Sequence, residues 1–451
     1  MECWIFVYFP IEHWWERWIS NYKTIFDAWE DGGVRGIVAG RMQFVEEDGT
    51  ISRAFVPDPK VYDSFGVTPP PEAPHNPKKE KIFREMLDNA AARGWKIMNF
   101  SMPGGGGGRP HGEDPFGEIA FAAAAQDLAN AYPQVQGVIM DGPGEQCYEL
   151  AHHHGGEVFS INEADRRFAD LGFDIDRMKR GMKHLRKRCQ SLTPDIVRYH
   201  ASGGTLGGLI LFDINEDALY WLRARQEACR VSMQTLRKGI DRVDRKLELG
   251  AIPRISTFSS LTGQNYQQMR ESFDYIFPKH YYWHRGFDGM YGTVERWVRR
   301  FGAWNPTLTQ EDCFALVRSL FGLELPGVRK LADLEMGFPE AFFSEVVYSE
   351  TRRALHAIQD HDKVICWVST GRSPHAGESM SAGDLHGILQ ASRDAGLKRF
   401  LFHPDPDLGA SEWHVISQMC GNAWEQDNDY WPTDSWREDI DGYGIAAPRR
   451  D

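Results

Sequence analysis

The chain has 451 residues, 42% of them hydrophobic, enough for one large domain with insertions or for two to three ordinary ones. Its formal net charge of -13 and pI near 5.7, with no long basic run, disfavour nucleic-acid binding, which depends on neutralising phosphates with Lys and Arg. Seven cysteines, scattered without a C-x-x-C pair, argue against a disulfide framework or zinc knuckle and place the chain in a reducing cytoplasm.

The first predicted element is a strand over 3–9, apolar but interrupted by Pro10 and Glu12, with no basic region or small-residue cleavage site of a signal peptide. No stretch reaches the length needed to cross a bilayer. Trp14, Trp15, Trp18, Ile19, Tyr22, Ile25, Phe26 and Trp29 recur at helical spacing over 12–31, and Gly32-Gly33 ends that helix. A second strand covers 34–44 and brings Arg41 near its end. The polar, Pro-rich stretch 45–77 reads as a loop. Asn76-Pro77 opens a helix over 78–93, and 96–101 is a third strand.

Five glycines follow in MPGGGGGRPHGED. No Gly-Lys-Ser/Thr comes after them, so the run reads as an irregular loop presenting Arg109 and His111 rather than a phosphate cradle. An Ala-rich helix over 118–132 leads to the central strand, 135–140. It runs into Asp141 and, after Gly-Pro-Gly, Glu145. Acids are disfavoured inside a packed strand, so carboxylates at its end mark a rim. The AHHHGGE run beyond cannot converge more than two of its histidines, and H-E-x-x-H is absent, so no metal set is assigned.

Residues 162–248 are helical and charged, with a Gly-rich interruption at 202–208. A fifth strand is predicted over 252–260 and a helix over 264–273. The sixth strand, YIFPKHYYW over 275–283, ends in Lys279, His280, Tyr281, Tyr282 and Trp283, followed by His284. A second insertion spans 285–338, with helices near 293–300 and 310–321, and Pro339 opens a long helix to 360. The seventh strand, 363–369, carries Trp367 and leads to a loop with His375 and Glu378. Ser381 caps the next helix with Asp384 three residues on. The eighth strand, 399–403, ends in His403 and PDPDLG with Asp405, and a last helix covers 412–424.

Eight strands, most followed by a helix, predict a (β/α)8 barrel with helical insertions in one domain over 1–424, and a tail over 425–451. A doubly wound sheet would want a glycine fingerprint after the first strand, where Phe9-Pro10 stands instead. The polar residues gather at strand C-termini, the face where such barrels do chemistry. That rim is rich in carboxylates, aromatics and histidine and lacks a G-x-S-x-G elbow. Glycosidic cleavage needs two carboxyl groups, one protonated and one ionised, and aromatic walls help separate their proton affinities.

On GVIMDGPGE, the aromatic-basic sixth strand and FLFHPDPDLGASEWHVIS, the chain resembles uncharacterised barrel proteins of the glycoside-hydrolase-like type. The resemblance implies a glycosidase needing no cofactor, with a carbohydrate as its partner. In the large retaining clan on this barrel the acid/base is a Glu at the fourth strand, which Glu145 matches in position. The nucleophilic Glu ending the seventh strand has no counterpart here, since Val368-Ser369-Thr370 stands there. Other barrel glycosidases place a nucleophilic Asp at the end of the fourth strand, which Asp141 matches.

The expected catalytic residues are thus Asp141, with Glu145 or Glu378 as general acid. Arg41, His111, Lys279, His280, Tyr282, His284, Trp367, His403 and Asp405 are the expected substrate contacts. The alternatives are a metal-dependent hydrolase or lyase using His111, His152, His154 or His403, and a barrel that binds a glycan without catalysis. The two insertions are candidate interfaces of a homo-oligomer.

Overall fold

A computed structural model describes residues 1–7, 12–40, 42–46, 48–101, 115–144, 159, 161, 167–285, 288–370, 380–403 and 410–423. Eight parallel strands form the core: β1 (Glu2–Val7), β2 (Val34–Ala39), β3 (Lys96–Ser101), β4 (Gly137–Asp141), β5 (Glu248–Ile252), β6, β7 (Ile365–Ser369) and β8 (Arg399–His403). β6 consists of two ladder segments, Tyr275–Ile276 and Lys279–His280, which flank Phe277-Pro278. The first segment pairs with β5 and the second with β7.

This one strand closes the ring. Phe277 N–H donates to Ala251 on one side at 2.8 Å, while Ile276 N–H donates to Lys363 and Trp367 N–H to Pro278 on the other, each also at 2.8 Å. With β1 paired to both β2 and β8, no edge is left open, and the fold is a (β/α)8 TIM barrel.

Period-two alternation decides what fills the barrel. At its lower end Trp4 meets Tyr275 edge-on, with centroids 5.5 Å apart, and packs against Phe277. Gly36 and Gly250 make room for these rings: a Cβ at Gly36 would lie 2.8 Å from the Trp4 ring, and one at Gly250 2.7 Å from Phe277. Higher up, Phe6, Phe100 and Trp367 fill the space. The interior is a packed core, not a pore.

Helices cover the outside: α1 (Glu12–Asp31), α2 (Pro77–Ala92), α3 (Pro115–Ala131), α4 (Ile175–Cys189), α5 (Glu216–Ile240), α6 (Met290–Trp304), α7 (Gln310–Phe321), α8 (Tyr348–Ile358), α9 (Ala382–Asp394) and α10 (Ala410–Cys420). Their starts follow local chemistry. Pro77 sits in the first turn of α2, and the Asn76 side chain accepts from Lys79 N–H. Ser381 and Asp384 form a reciprocal capping box at α9, as Thr309 and Asp312 do at α7. The long α5 packs on α4 and α3 and delivers the chain to β5.

Several expectations need correction. The fifth strand is Glu248–Ile252, not 252–260: Pro253 has no N–H to extend the ladder, and Ser256–Phe258 forms a 3-10 turn. Ser256 and Thr257 spend their hydroxyls on the buried Glu350 of α8. The second strand stops at Ala39, and the stretch 45–77 holds part of a small hairpin (Gln43–Val45 with Ile51–Arg53) and a helix, Pro59–Phe65. The Gly-rich 202–208 contributes to a helix, Gly204–Leu211, in which Gly207 lies against the His200 carbonyl. The helix expected from Pro339 begins with a π-helical turn, Phe342–Val347, before α8. Among the described residues, no helix is long and apolar enough to cross a membrane.

Candidate active site at the strand C-termini

Asp141 is the last residue of β4, and its side chain is 20% exposed. Gly142 and Gly144, both at positive φ, turn the chain sharply after it. Lys279 lies on the inward side of β6, where parallel register places it beside Trp367 of β7. Its ammonium stands 3.2 Å from one Asp141 carboxylate oxygen and 3.4 Å from the other.

The same ammonium contacts Asp288 Oδ2 at 3.1 Å, and the other Asp288 oxygen is paired with the Arg254 guanidinium. The result is a chain of alternating charges, Asp141–Lys279–Asp288–Arg254. Lys279, Asp288 and Arg254 are all nearly fully buried, so desolvation is offset only because each charge faces an opposite one. Asp141 is its solvent-facing end.

An aromatic wall adjoins this chain. Tyr281 stacks on Trp283 at 4.5 Å and meets Trp367 edge-on at 5.7 Å. His403, at the end of β8, stacks on Phe6 at 4.9 Å and lies nearly parallel to Trp367 at 6.0 Å. Burial, reinforced by the nearby Asp141 charge, pushes the Tyr281 phenol far above its ordinary value, so it stays neutral. His284, just past β6, is held by Glu295 of α6 at 2.8 Å, and Arg299 holds the other Glu295 oxygen at 2.7 Å.

The structure therefore brings together Asp141, Lys279, Trp367 and His403 of the expected set. It keeps two others away. His280 and Tyr282 alternate with Lys279 and Tyr281 and point outward, behind the barrel. The His280 ring is fully buried and its Nε2 lies 3.5 Å from Cys366 Sγ. Burial lowers its proton affinity to a value of about 3, which keeps it neutral. Tyr282 packs edge-on against Phe342 at 5.4 Å. Both lie behind the barrel wall, on the side away from Asp141. Glu145, Glu378, Arg41, His111 and Asp405 lie outside the described residues, as do His152, His154, His375, the five-glycine run and the tail.

Two members of the charge chain escaped the sequence reading. Arg254 fell inside a supposed strand, and Asp288 sits in a loop without a motif. Tyr281 carried a usable signal: two-residue alternation from Lys279 selects it and rejects its neighbours. Among the described residues, no three His, Cys, Asp or Glu side chains gather as a metal site would require.

No protein-family model matches the chain, and no curated protein does. Solved structures with a similar path include glycoside hydrolases. The glycoside hydrolase domain of PgaB (BpsB) from Bordetella bronchiseptica is 10% identical with a TM-score of 0.47, covering 94% of this chain and 100% of its own. A β-galactosidase from the haloarchaeon Halorubrum lacusprofundi is 12% identical with a TM-score of 0.49, over 93% of this chain and 57% of its own. A β-galactosidase from Marinomonas ef1 is 10% identical with a TM-score of 0.45, over 100% of this chain and 61% of its own. Likenesses at this level carry no argument for an activity, which has to come from the site.

Proposed function

We propose that this chain is a glycoside hydrolase in which Asp141 is the ionised carboxylate of the reacting pair, acting as nucleophile or as stabiliser of the oxocarbenium-like transition state. The observation that carries the reading is the Asp141–Lys279 contact at the tips of β4 and β6, beside an aromatic wall. An ammonium at 3.2 Å favours the carboxylate over the carboxylic acid, which is the form a nucleophile needs. The required protonated partner falls to Glu145, four residues past Asp141, or to Glu378, beyond β7.

A panel of chromogenic aryl glycosides and unlabelled oligosaccharides, scored by released aglycone or reducing ends, tests this. Turnover by the native chain should fall at least about a hundredfold in Asp141→Asn while the unfolding midpoint stays in place. Turnover that survives this substitution removes Asp141 from the mechanism.

A further inference from the structure

We infer that Asp288 is a positioning residue, which holds the Lys279 ammonium against Asp141 and is itself held by Arg254. This rests on the glycosidase reading above and adds to it. Two independent observations carry it. The first is the contact geometry: the ammonium is shared between Asp141 at 3.2 Å and Asp288 at 3.1 Å, and Arg254 engages the oxygen of Asp288 that Lys279 leaves. A flexible four-carbon stem with one partner would sample many positions; between two carboxylates it has one.

The second is the backbone. Asp288 has φ of +70° and Arg285 of +57°, a left-handed conformation that side chains other than glycine rarely adopt. At Gly289, next in the chain, a Cβ would come within 2.4 Å of the Trp283 carbonyl oxygen. The segment is doubled back so tightly that Met290 N–H donates to Tyr281 at 2.9 Å and Gly292 N–H to Trp283 at 3.2 Å. That fold-back brings Asp288 beside a lysine nine residues earlier. Backbone strain of this kind persists where surrounding contacts over-determine it, and here the contact is to the reacting group's own partner.

Among the described residues, the charged groups linked in this chain to Asp141 are Lys279, then Asp288 and Arg254, while the adjoining Tyr281 phenol is neutral. The sign of each charge therefore sets the direction in which Asp141 titrates. Removing the Asp288 charge leaves the site more positive, which favours ionised Asp141. Removing the Arg254 charge does the reverse.

The test is the pH dependence of kcat/KM for the native chain, Asp288→Asn and Arg254→Gln, with Asp141→Asn as reference. Asn is chosen at 288 because it tolerates a left-handed φ. The expected result is an acid limb about one pH unit lower in Asp288→Asn and a limb shifted upward in Arg254→Gln. With the ammonium still beside Asp141 but no longer fixed between two carboxylates, kcat should fall about tenfold or more at little change in KM. If Asp141→Asn is inactive but neither limb moves, and losses of rate follow the folded fraction, Asp288 is only a structural ion-pair member and the inference fails. If Asp141→Asn stays active, the glycosidase reading fails first. Should Asp288→Asn not fold, the upward shift in Arg254→Gln alone decides.

Discussion

Phe100 of β3 and Trp367 of β7 touch across the barrel, with ring centroids 6.1 Å apart at 65°. Their strands stand on different sides of the ring, so the contact spans its interior. Phe6 lies within 5.3 Å of both rings, and His403 lies over Phe6. The charged residues at the strand tips thus rest on a tightly packed aromatic layer, and their position depends on that layer staying filled.

Trp367→Ala should therefore destabilise the fold by about 3–5 kcal/mol, the usual cost of removing a buried large aromatic side chain and leaving its cavity. Urea or guanidinium unfolding reads this as a lower midpoint at unchanged m. A loss under about 1 kcal/mol would mean that the layer collapses around the gap, and the charged residues would not depend on Trp367 for support.

His280 makes a pH prediction of its own. Its folded-state value of about 3 lies below the ordinary histidine value, so between roughly pH 6.5 and 3 the unfolded chain takes up a proton that the folded chain refuses. Stability from this group is complete above that window and drains away as pH falls through it, at up to about 1.4 kcal/mol per pH unit. His280→Gln, which cannot titrate, should show a flatter dependence of unfolding free energy between pH 6 and 4. Parallel curves for the two proteins would place the acid sensitivity elsewhere.

Gly144 tests the turn that aims Asp141. Its φ is +68°, and a Cβ there would meet the Cys229 backbone of α5 at 2.9 Å. Gly144→Ala should cost about 1–3 kcal/mol and lower kcat, because the backbone three residues past Asp141 has to shift. Gly66→Ala is the matched control: φ is +74° and nothing lies within 4 Å of the added methyl. It should lose some stability and no activity. Equal losses of activity in both would remove the turn from catalysis.

How much of this was legible in the sequence depended on how local the cause was. The first helix, the third and eighth strands and the Ser381–Asp384 box follow from periodicity and capping within a few residues, and the structure places them where expected. The barrel itself came from counting such elements. What escaped was set by distant partners. Ser256 and Thr257 looked like the end of a strand because Glu350, which uses their hydroxyls, is 94 and 93 residues away. Composition at the strand end marks His280 and Tyr282 as pocket wall, but two-residue alternation, which turns them outward, decides. Arg254 and Asp288 meet through a fold-back that no local pattern announces.

The interrupted sixth strand has a wider consequence. The short run from Phe277 to Lys279 latches β5 to β7 and, in its last residue, hands Asp141 its cation. Architecture and chemistry are thus welded at one joint: any change that loosens the ring there also drags Lys279 off Asp141. Few substitutions in those residues can suit both duties at once, so this joint, more than any helix on the outside, limits how far the barrel can drift in sequence and still hold that ion pair.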